Sequence, residues 1–209
     1  MSLGSSLREF FLCHLLCPWY TRLHPGAHGP CPTEERALER LFANPAPAYP
    51  VLVDVGCGGG RVLAWWLRQG LGEKTLVGLE IQQSLAAWSR WRFRHDPTVR
   101  ILTGDAVHMV DQLPLQPTLF YLFNPFDAST LRFFLHALRR RYAPGSVEVL
   151  YYNSEHADVF SHEPCWTVAP LLFPEPCWPA LRARLESSVK KPPVRSPGDR
   201  KETCAPARG

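Results

Sequence analysis

Val51-Leu-Val-Asp-Val-Gly-Cys-Gly-Gly-Gly-Arg61 is the stretch that decides the fold. An aliphatic run carrying one acid, Asp54, ends in glycines alternating at 56, 58 and 60, and an apolar helical pattern begins at once. That order reads as a buried strand turning sharply through glycines into a helix, whose first N–H groups lack intrahelical partners and face a ligand. The spacing selects the ligand. A dinucleotide fingerprint needs G-x-G-x-x-G. Counted from Gly56, its third glycine falls on Arg61; counted from Gly58, it falls on Leu63. The chain carries D-x-G-x-G-x-G instead.

Downstream, strand-like and helix-like segments alternate. Strands are expected at 51–55, 76–81, 99–103, 118–123 and 146–152, and helices at 59–70, 83–95, 106–112, 128–142 and 156–162. Such alternation means parallel strands joined by right-handed crossovers. The fold class is therefore α/β, a doubly wound, Rossmann-like, mostly parallel sheet with helices on both faces. The near-continuous apolar run Thr118-Leu-Phe-Tyr-Leu-Phe123 suits a strand covered on both sides. Beyond Asn153 the pattern weakens. Trp166–Phe173 reads as a sixth strand, pushed to an edge by Pro170. No convincing seventh strand follows, and Pro179 reads as opening a last helix through Glu186. Upstream, Thr33 is expected to cap a helix over 34–43 that buries Leu38, Leu41 and Phe42. An apolar stripe from Leu3 to Leu15 predicts a further helix over 3–17.

Three units follow. Residues 1–32 form an N-terminal helix and loop, a candidate lid; residues 33–186 form the main domain; residues 187–209 form a disordered basic tail. The formal charge of +4 resides in that tail, where Lys190, Lys191, Arg195, Arg200, Lys201 and Arg208 face only Asp199 and Glu202. A balanced core does not argue for nucleic acid. On helix 83–95 the aromatics Trp88, Trp91 and Phe93 are expected mostly in the core and the arginines Arg90, Arg92 and Arg94 mostly in solvent. The seven cysteines form no CxxC pair, and His14, His24 and His28 lack metal-ligand spacing, so no metal is expected. No stretch is long and apolar enough for a membrane span, and nothing reads as a secretory leader. A reducing cytoplasm is the simplest expectation.

D-x-G-x-G-x-G resembles motif I of the class I S-adenosylmethionine-dependent methyltransferases. Leu76-Val-Gly-Leu-Glu80 resembles their second strand, Thr103-Gly-Asp105-Ala106 the loop after the third, and Phe120-Tyr-Leu-Phe-Asn124-Pro-Phe126 the fourth strand with its motif IV loop. The resemblance implies S-adenosylmethionine as cofactor. Asp54, Gly56, Cys57, Gly58 and Gly60 would surround its amino-acid end, with glycines admitting close backbone approach. Glu80, followed by Ile81, would accept both ribose hydroxyls, and Asp105 with the Ala106 N–H would hold adenine. Asn124 would be the catalytic contact to the methyl acceptor, since Asn-Pro-Phe is similar to the Asn-Pro-Pro-aromatic loop of amino-methylating enzymes less one proline. Apart from the resemblance, Tyr151, Tyr152, Asn153, Glu155 and His156 follow strand five at the same rim; an edge-of-sheet polar cluster is the simpler reading, with His156 or Glu155 the candidate base for an oxygen nucleophile. The implied partner is a small molecule or a protein, with nitrogen among the candidate atoms; a nucleic-acid acceptor is disfavoured. The alternatives are a non-catalytic binding module retaining this fold, and a nucleotide-dependent oxidoreductase, which Arg61 disfavours.

Overall fold

A computed structural model describes residues 26–27, 33–42, 48–173 and 178–187. The helix expected over 3–17 and all of the tail but residue 187 lie outside them. The elements in order are α1 (Glu35–Leu41), β1 (Val51–Val55), α2 (Arg61–Arg68), β2 (Thr75–Glu80), α3 (Gln83–Arg92), β3 (Val99–Thr103), α4 (Ala106–Met109), β4 (Thr118–Phe123), α5 (Ala128–Arg141), β5 (Val147–Tyr152), α6 (Asp158–His162), β6 (Trp166–Leu171) and β7 (Ala180–Leu185). They build one sheet in the order β3-β2-β1-β4-β5-β7-β6.

β1 is central and buried at every residue. It pairs in parallel with β2 on one side and β4 on the other. Its apolar run follows from this position, since helices cover both faces of a parallel sheet. Between β1 and β4 the direction of winding reverses. That switch point opens a crevice outside the carboxyl ends of the strands, where such sheets bind ligands. No helix among the described residues is long and apolar enough to cross a membrane.

The helix expected from Pro179 to Glu186 is instead the seventh strand, antiparallel to both β5 and β6. Leu181, Ala183 and Leu185 are buried. Arg182 and Arg184 alternate with them and reach the buried Glu148 carboxylate on β5 at 2.6 and 3.1 Å. Tyr49 adds a hydroxyl to the same carboxylate at 3.2 Å. A buried acid with three donors is well compensated, and satisfying it requires the two arginines at strand spacing. β6 is the outer edge strand, and it contains Pro170 as expected.

Two local expectations are also corrected. Thr33 does not cap α1: the helix opens at Glu34 without a side-chain cap, and the Thr33 hydroxyl hydrogen-bonds the Tyr121 hydroxyl at 2.9 Å. On α3, Phe93 is buried, but Trp88 and Trp91 are 53% and 56% exposed. They stack on each other at 5.0 Å, and the Arg94 guanidinium lies 4.6 Å from the Trp91 ring centre. The small residues Ala86 and Ser89 form the inner face. They let the helix approach the glycine turn so closely that Ser89 Oγ donates to the Gly58 carbonyl at 2.6 Å and Arg92 to the Gly59 carbonyl at 2.8 Å. A tryptophan on that face would hold the helix away.

Candidate cofactor and acceptor site

The glycine turn is tied down from beneath. Gly56 and Cys57 N–H groups both donate to the Leu79 carbonyl at 2.9 Å. Gly56, Gly58 and Gly60 all have positive φ, 78°, 50° and 75°. Their roles then separate. A Cβ on Gly58 would meet nothing within 4 Å, and the residue borders the open cavity. A Cβ on Gly60 would overlap the Phe93 ring. Gly60 is not on the cavity wall, and its lack of a side chain makes room for Phe93 on the packed helix. Gly60→Ala is therefore expected to lower stability by about 2–4 kcal/mol, from overpacking and left-handed strain together, read as a lower denaturant midpoint at unchanged slope. Gly58→Ala should cost only about 1–2 kcal/mol and act on ligand affinity instead.

Glu80 ends β2 with 2% of its surface exposed and lies on the cavity wall. One carboxylate oxygen accepts from Gly58 N and the other from Gln82 N, both at 2.8 Å. The side chain thus ties the glycine turn to the start of α3. A carboxylate at this place on the wall is an acceptor for ligand hydroxyls. Asp54, at 4% exposure, also borders the cavity, and its Oδ2 has no hydrogen-bond partner among the described residues. Burial, reinforced by the Glu80 charge, pushes its carboxyl up to about 8. An unpaired buried acid of this kind is suited to a cation. Cys57 is buried between the turn and Gly78, which has no room for a Cβ beside the Cys57 sulfur. Burial pushes its thiol up, so it is a packing residue with no thiolate character.

Ile81, Asp105 and Ala106 line the next part of the wall. Asp105 caps α4: one oxygen accepts from Val107 N at 2.9 Å, and the other lies 3.2 Å from His108 Nδ1.

Asn124, Pro125 and Phe126 line the far end with Tyr121 and Thr130. Asn124 is 5% exposed, sits at φ 42°, and its Oδ1 accepts from the Tyr151 hydroxyl at 2.7 Å. Phe126 is largely buried and packs on Phe134 at 5.3 Å. A short upstream strap closes this rim: Ala27 pairs antiparallel with Phe126, and Asp127 N donates to the Gly26 carbonyl at 2.9 Å. Neither Glu155 nor His156 is on the wall. The sequence places Tyr151 at this rim without a partner, and gives Thr33 and Tyr121 no part in the site. For the tyrosines a signal existed, because a hydroxyl in a buried strand must find a partner.

These features fit S-adenosylmethionine. A backbone cradle open at Gly58, a buried carboxylate on the wall at Glu80, and a buried acid at Asp54 whose Oδ2 has no partner among the described residues suit its main-chain-like end, its ribose and its ammonium.

Residues 53–150 match a family model described as a methyltransferase domain. The chain is similar to the SAH-bound Podospora anserina methyltransferase PaMTH1, at 13% identity and TM-score 0.60 over 75% of this chain and 80% of that one. It is similar to an RNA methyltransferase from Salinibacter ruber in complex with S-adenosyl-L-homocysteine, at 19% identity and TM-score 0.51 over 78% and 98%. It is also similar to a putative caffeoyl-CoA O-methyltransferase from Staphylococcus aureus, at 11% identity and TM-score 0.56 over 87% and 100%. No curated protein matches the sequence. Identities this low speak for the fold, a seven-stranded methyltransferase sheet with its last-numbered strand reversed.

The family match runs from β1 into β5 and spans the glycine turn, Glu80, Asp105 and Asn124. Residues 53–150 thus form a methyltransferase domain with the fold of the S-adenosylhomocysteine-bound methyltransferases above, and S-adenosylmethionine is the cofactor that this fold and site fit.

Proposed function

We propose that this methyltransferase alkylates a neutral nitrogen of a small molecule or of an exposed protein side chain, with residues 33–186 as the catalytic domain. One observation carries the choice of atom. Among the described residues, the wall at the acceptor end of the cavity, from Tyr121 to Phe126 and Thr130, has no histidine, lysine or carboxylate side chain. An oxygen nucleophile would need a base there. A neutral amine or ring nitrogen already presents its lone pair.

In this reading Asp54 holds the cofactor's ammonium, and the main chain at Gly56, Cys57 and Gly58 holds its carboxylate. Glu80 takes the ribose diol, and Ile81, Asp105 and Ala106 enclose adenine. The bound cofactor supplies an electrophilic methyl on a sulfonium. Asn124 accepts a hydrogen bond from the acceptor nitrogen and so aims its lone pair at that carbon. The C–N bond forms as the S–C bond breaks, both electrons of the latter stay on sulfur, and the alkylated nitrogen releases its proton to water. Positioning and exclusion of water by the strap at Gly26–Ala27 supply most of the acceleration.

The test is transfer of a labelled methyl group into fractionated metabolites, proteins and RNA. Label in amine-bearing metabolites or in lysine or histidine side chains is expected. Asn124→Ala should leave S-adenosylhomocysteine affinity within about twofold while cutting turnover about 100-fold, in line with losing a positioned contact to the reacting group. Label in RNA or on oxygen, or full turnover in that variant, would remove the proposal. A chain that binds the cofactor and transfers nothing would be the non-catalytic module.

A further inference from the structure

Several arginines of this protein are neutralised where they stand. Arg68 meets Glu35 at 2.9 Å, Arg140 meets Asp111 at 3.0 Å, and Arg182 and Arg184 share Glu148. The outer face of α3 and the turn after it differ. Residues 83–100 hold Arg90, Arg92, Arg94 and Arg100 against one acid, Asp96. Arg90 is held by neutral groups: it donates to the Thr103 hydroxyl at 2.6 Å and to the Ile101 carbonyl at 3.5 Å. Arg94 donates to the Trp91 carbonyl at 2.9 Å and lies over the Trp91 ring. Both arginines are exposed, and neither has a carboxylate partner among the described residues.

The two exposed tryptophans stand beside these cations. Trp88 and Trp91 stack at 5.0 Å, and Trp88 borders Gly59, where a Cβ would meet its ring at 3.7 Å. Large apolar side chains left in water gain free energy when a partner covers them. The cluster is also pre-organised. Ser89 and Arg92 tie the helix to the glycine turn, and the ring stack and the Arg94 contact restrain the side chains, so less freedom is lost on binding.

We propose that the α3 face formed by Trp88, Trp91, Arg90 and Arg94 is a docking surface for an acidic protein segment that carries an aromatic or apolar side chain. Charge complementarity sets the sign of the partner. Its apolar side chain packs on the tryptophans while neighbouring carboxylates meet the two guanidinium groups, which offer donors only. Tryptophan and arginine together are the residue types that dominate protein hot spots. Single-stranded nucleic acid fits less well: Trp91 already engages Trp88 and Arg94, so a base must displace one of them to stack. A lipid surface is met by longer amphipathic helices than the ten residues of α3. None of the four residues lies on the cavity wall, so docking here does not depend on which atom is methylated.

The test titrates the full chain into a fluorescent random copolymer of glutamate and tyrosine, into fluorescent polyuridylate, and into vesicles of phosphatidylserine and phosphatidylcholine. Per anionic group, the copolymer is expected to bind about tenfold more tightly than either alternative, and less tightly as salt rises. Trp91→Ala and Arg94→Glu should each weaken copolymer binding about tenfold or more. Both side chains are exposed and off the cavity wall, so melting temperature and S-adenosylhomocysteine affinity should stay close to wild type. Arg140→Glu on α5 makes the same change in net charge away from this face and should bind the copolymer as wild type does. Failure of the copolymer to bind, or tighter binding of polyuridylate or vesicles, would overturn the assignment. So would wild-type binding by Trp91→Ala, or an equal loss in Arg140→Glu, which would reduce the effect to overall charge.

Discussion

Glu80→Ala will reduce affinity for S-adenosylhomocysteine by about 100-fold or more, the largest loss expected from any single side chain in the site. Two effects add. The carboxylate holds Gly58 N and Gln82 N at 2.8 Å each, so its removal leaves two backbone donors without their acceptor and loosens the turn that cradles the ligand. It also removes the acceptors proposed for the ribose hydroxyls, where each hydrogen bond to a charged group is worth about 1.5–3 kcal/mol. Glu80→Gln separates charge from shape. Its amide fills the same space but sets an N–H against one of the two backbone N–H groups, so binding should fall nearly as far. Calorimetry provides the measurement. Affinities within threefold of wild type for both variants would mean that residue 80 only trims the end of β2.

The second large effect concerns pH and Asp54. The carboxyl is buried, its Oδ2 has no partner among the described residues, and it is shifted from its ordinary 3.8 to about 8, first by burial and then by the Glu80 charge. In the free protein at pH 6–7 it is protonated. An arriving ammonium favours the ionised form, so binding should expel close to one proton. Affinity for S-adenosylhomocysteine should then rise by up to about tenfold per pH unit below 8 and level off above it, until the ligand's own amine deprotonates. Calorimetry in buffers of different ionisation enthalpy counts the proton directly. Asp54→Asn should bind more weakly, release no proton and flatten the profile.

The stability of the free protein follows from the same shift. A raised carboxyl favours the fold fully below 3.8, where both states are protonated, and loses that contribution as pH climbs toward about 8. Asp54→Asn removes the penalty. The free variant should therefore melt higher than wild type at pH 9, by several degrees for a gain of about 1–3 kcal/mol, with the gap closing toward pH 4. Equal melting curves at pH 9 with no proton released on binding would contradict the description of Asp54.

The parallel half of the sheet was legible because each piece carries its own signal. Val51–Val55 is apolar and buried at every residue, the glycines force the turn, and Glu80 falls where β2 ends. β7 was not legible. Ala180-Leu-Arg-Ala-Arg-Leu185 is built from strong helix formers, and six residues fit either periodicity; what makes them a strand is Glu148 on β5, more than thirty residues earlier, which takes both arginines. Trp88 and Trp91 were misplaced for a similar reason. Hydrophobicity sends tryptophan inward, but the closeness of α3 to the glycine turn admits only Ala86 and Ser89 there. Gly60 has the spacing of a ligand-binding glycine and the surroundings of a packing one, because Phe93 takes its space. Asp54, Gly58, Glu80, Ile81, Asp105 and Asn124 were all found by motif and do border one cavity. Tyr151 could not be paired with Asn124 before the β4–β5 register was known.

Titration of the purified chain with S-adenosylhomocysteine, beside NAD as control and with Glu80→Ala in parallel, tests the cofactor site most directly. Saturable one-to-one binding of S-adenosylhomocysteine, a rise in melting temperature that NAD does not produce, and loss of both in the variant are expected. Stabilisation by NAD alone, or S-adenosylhomocysteine binding that is indifferent to residue 80, would contradict the site described.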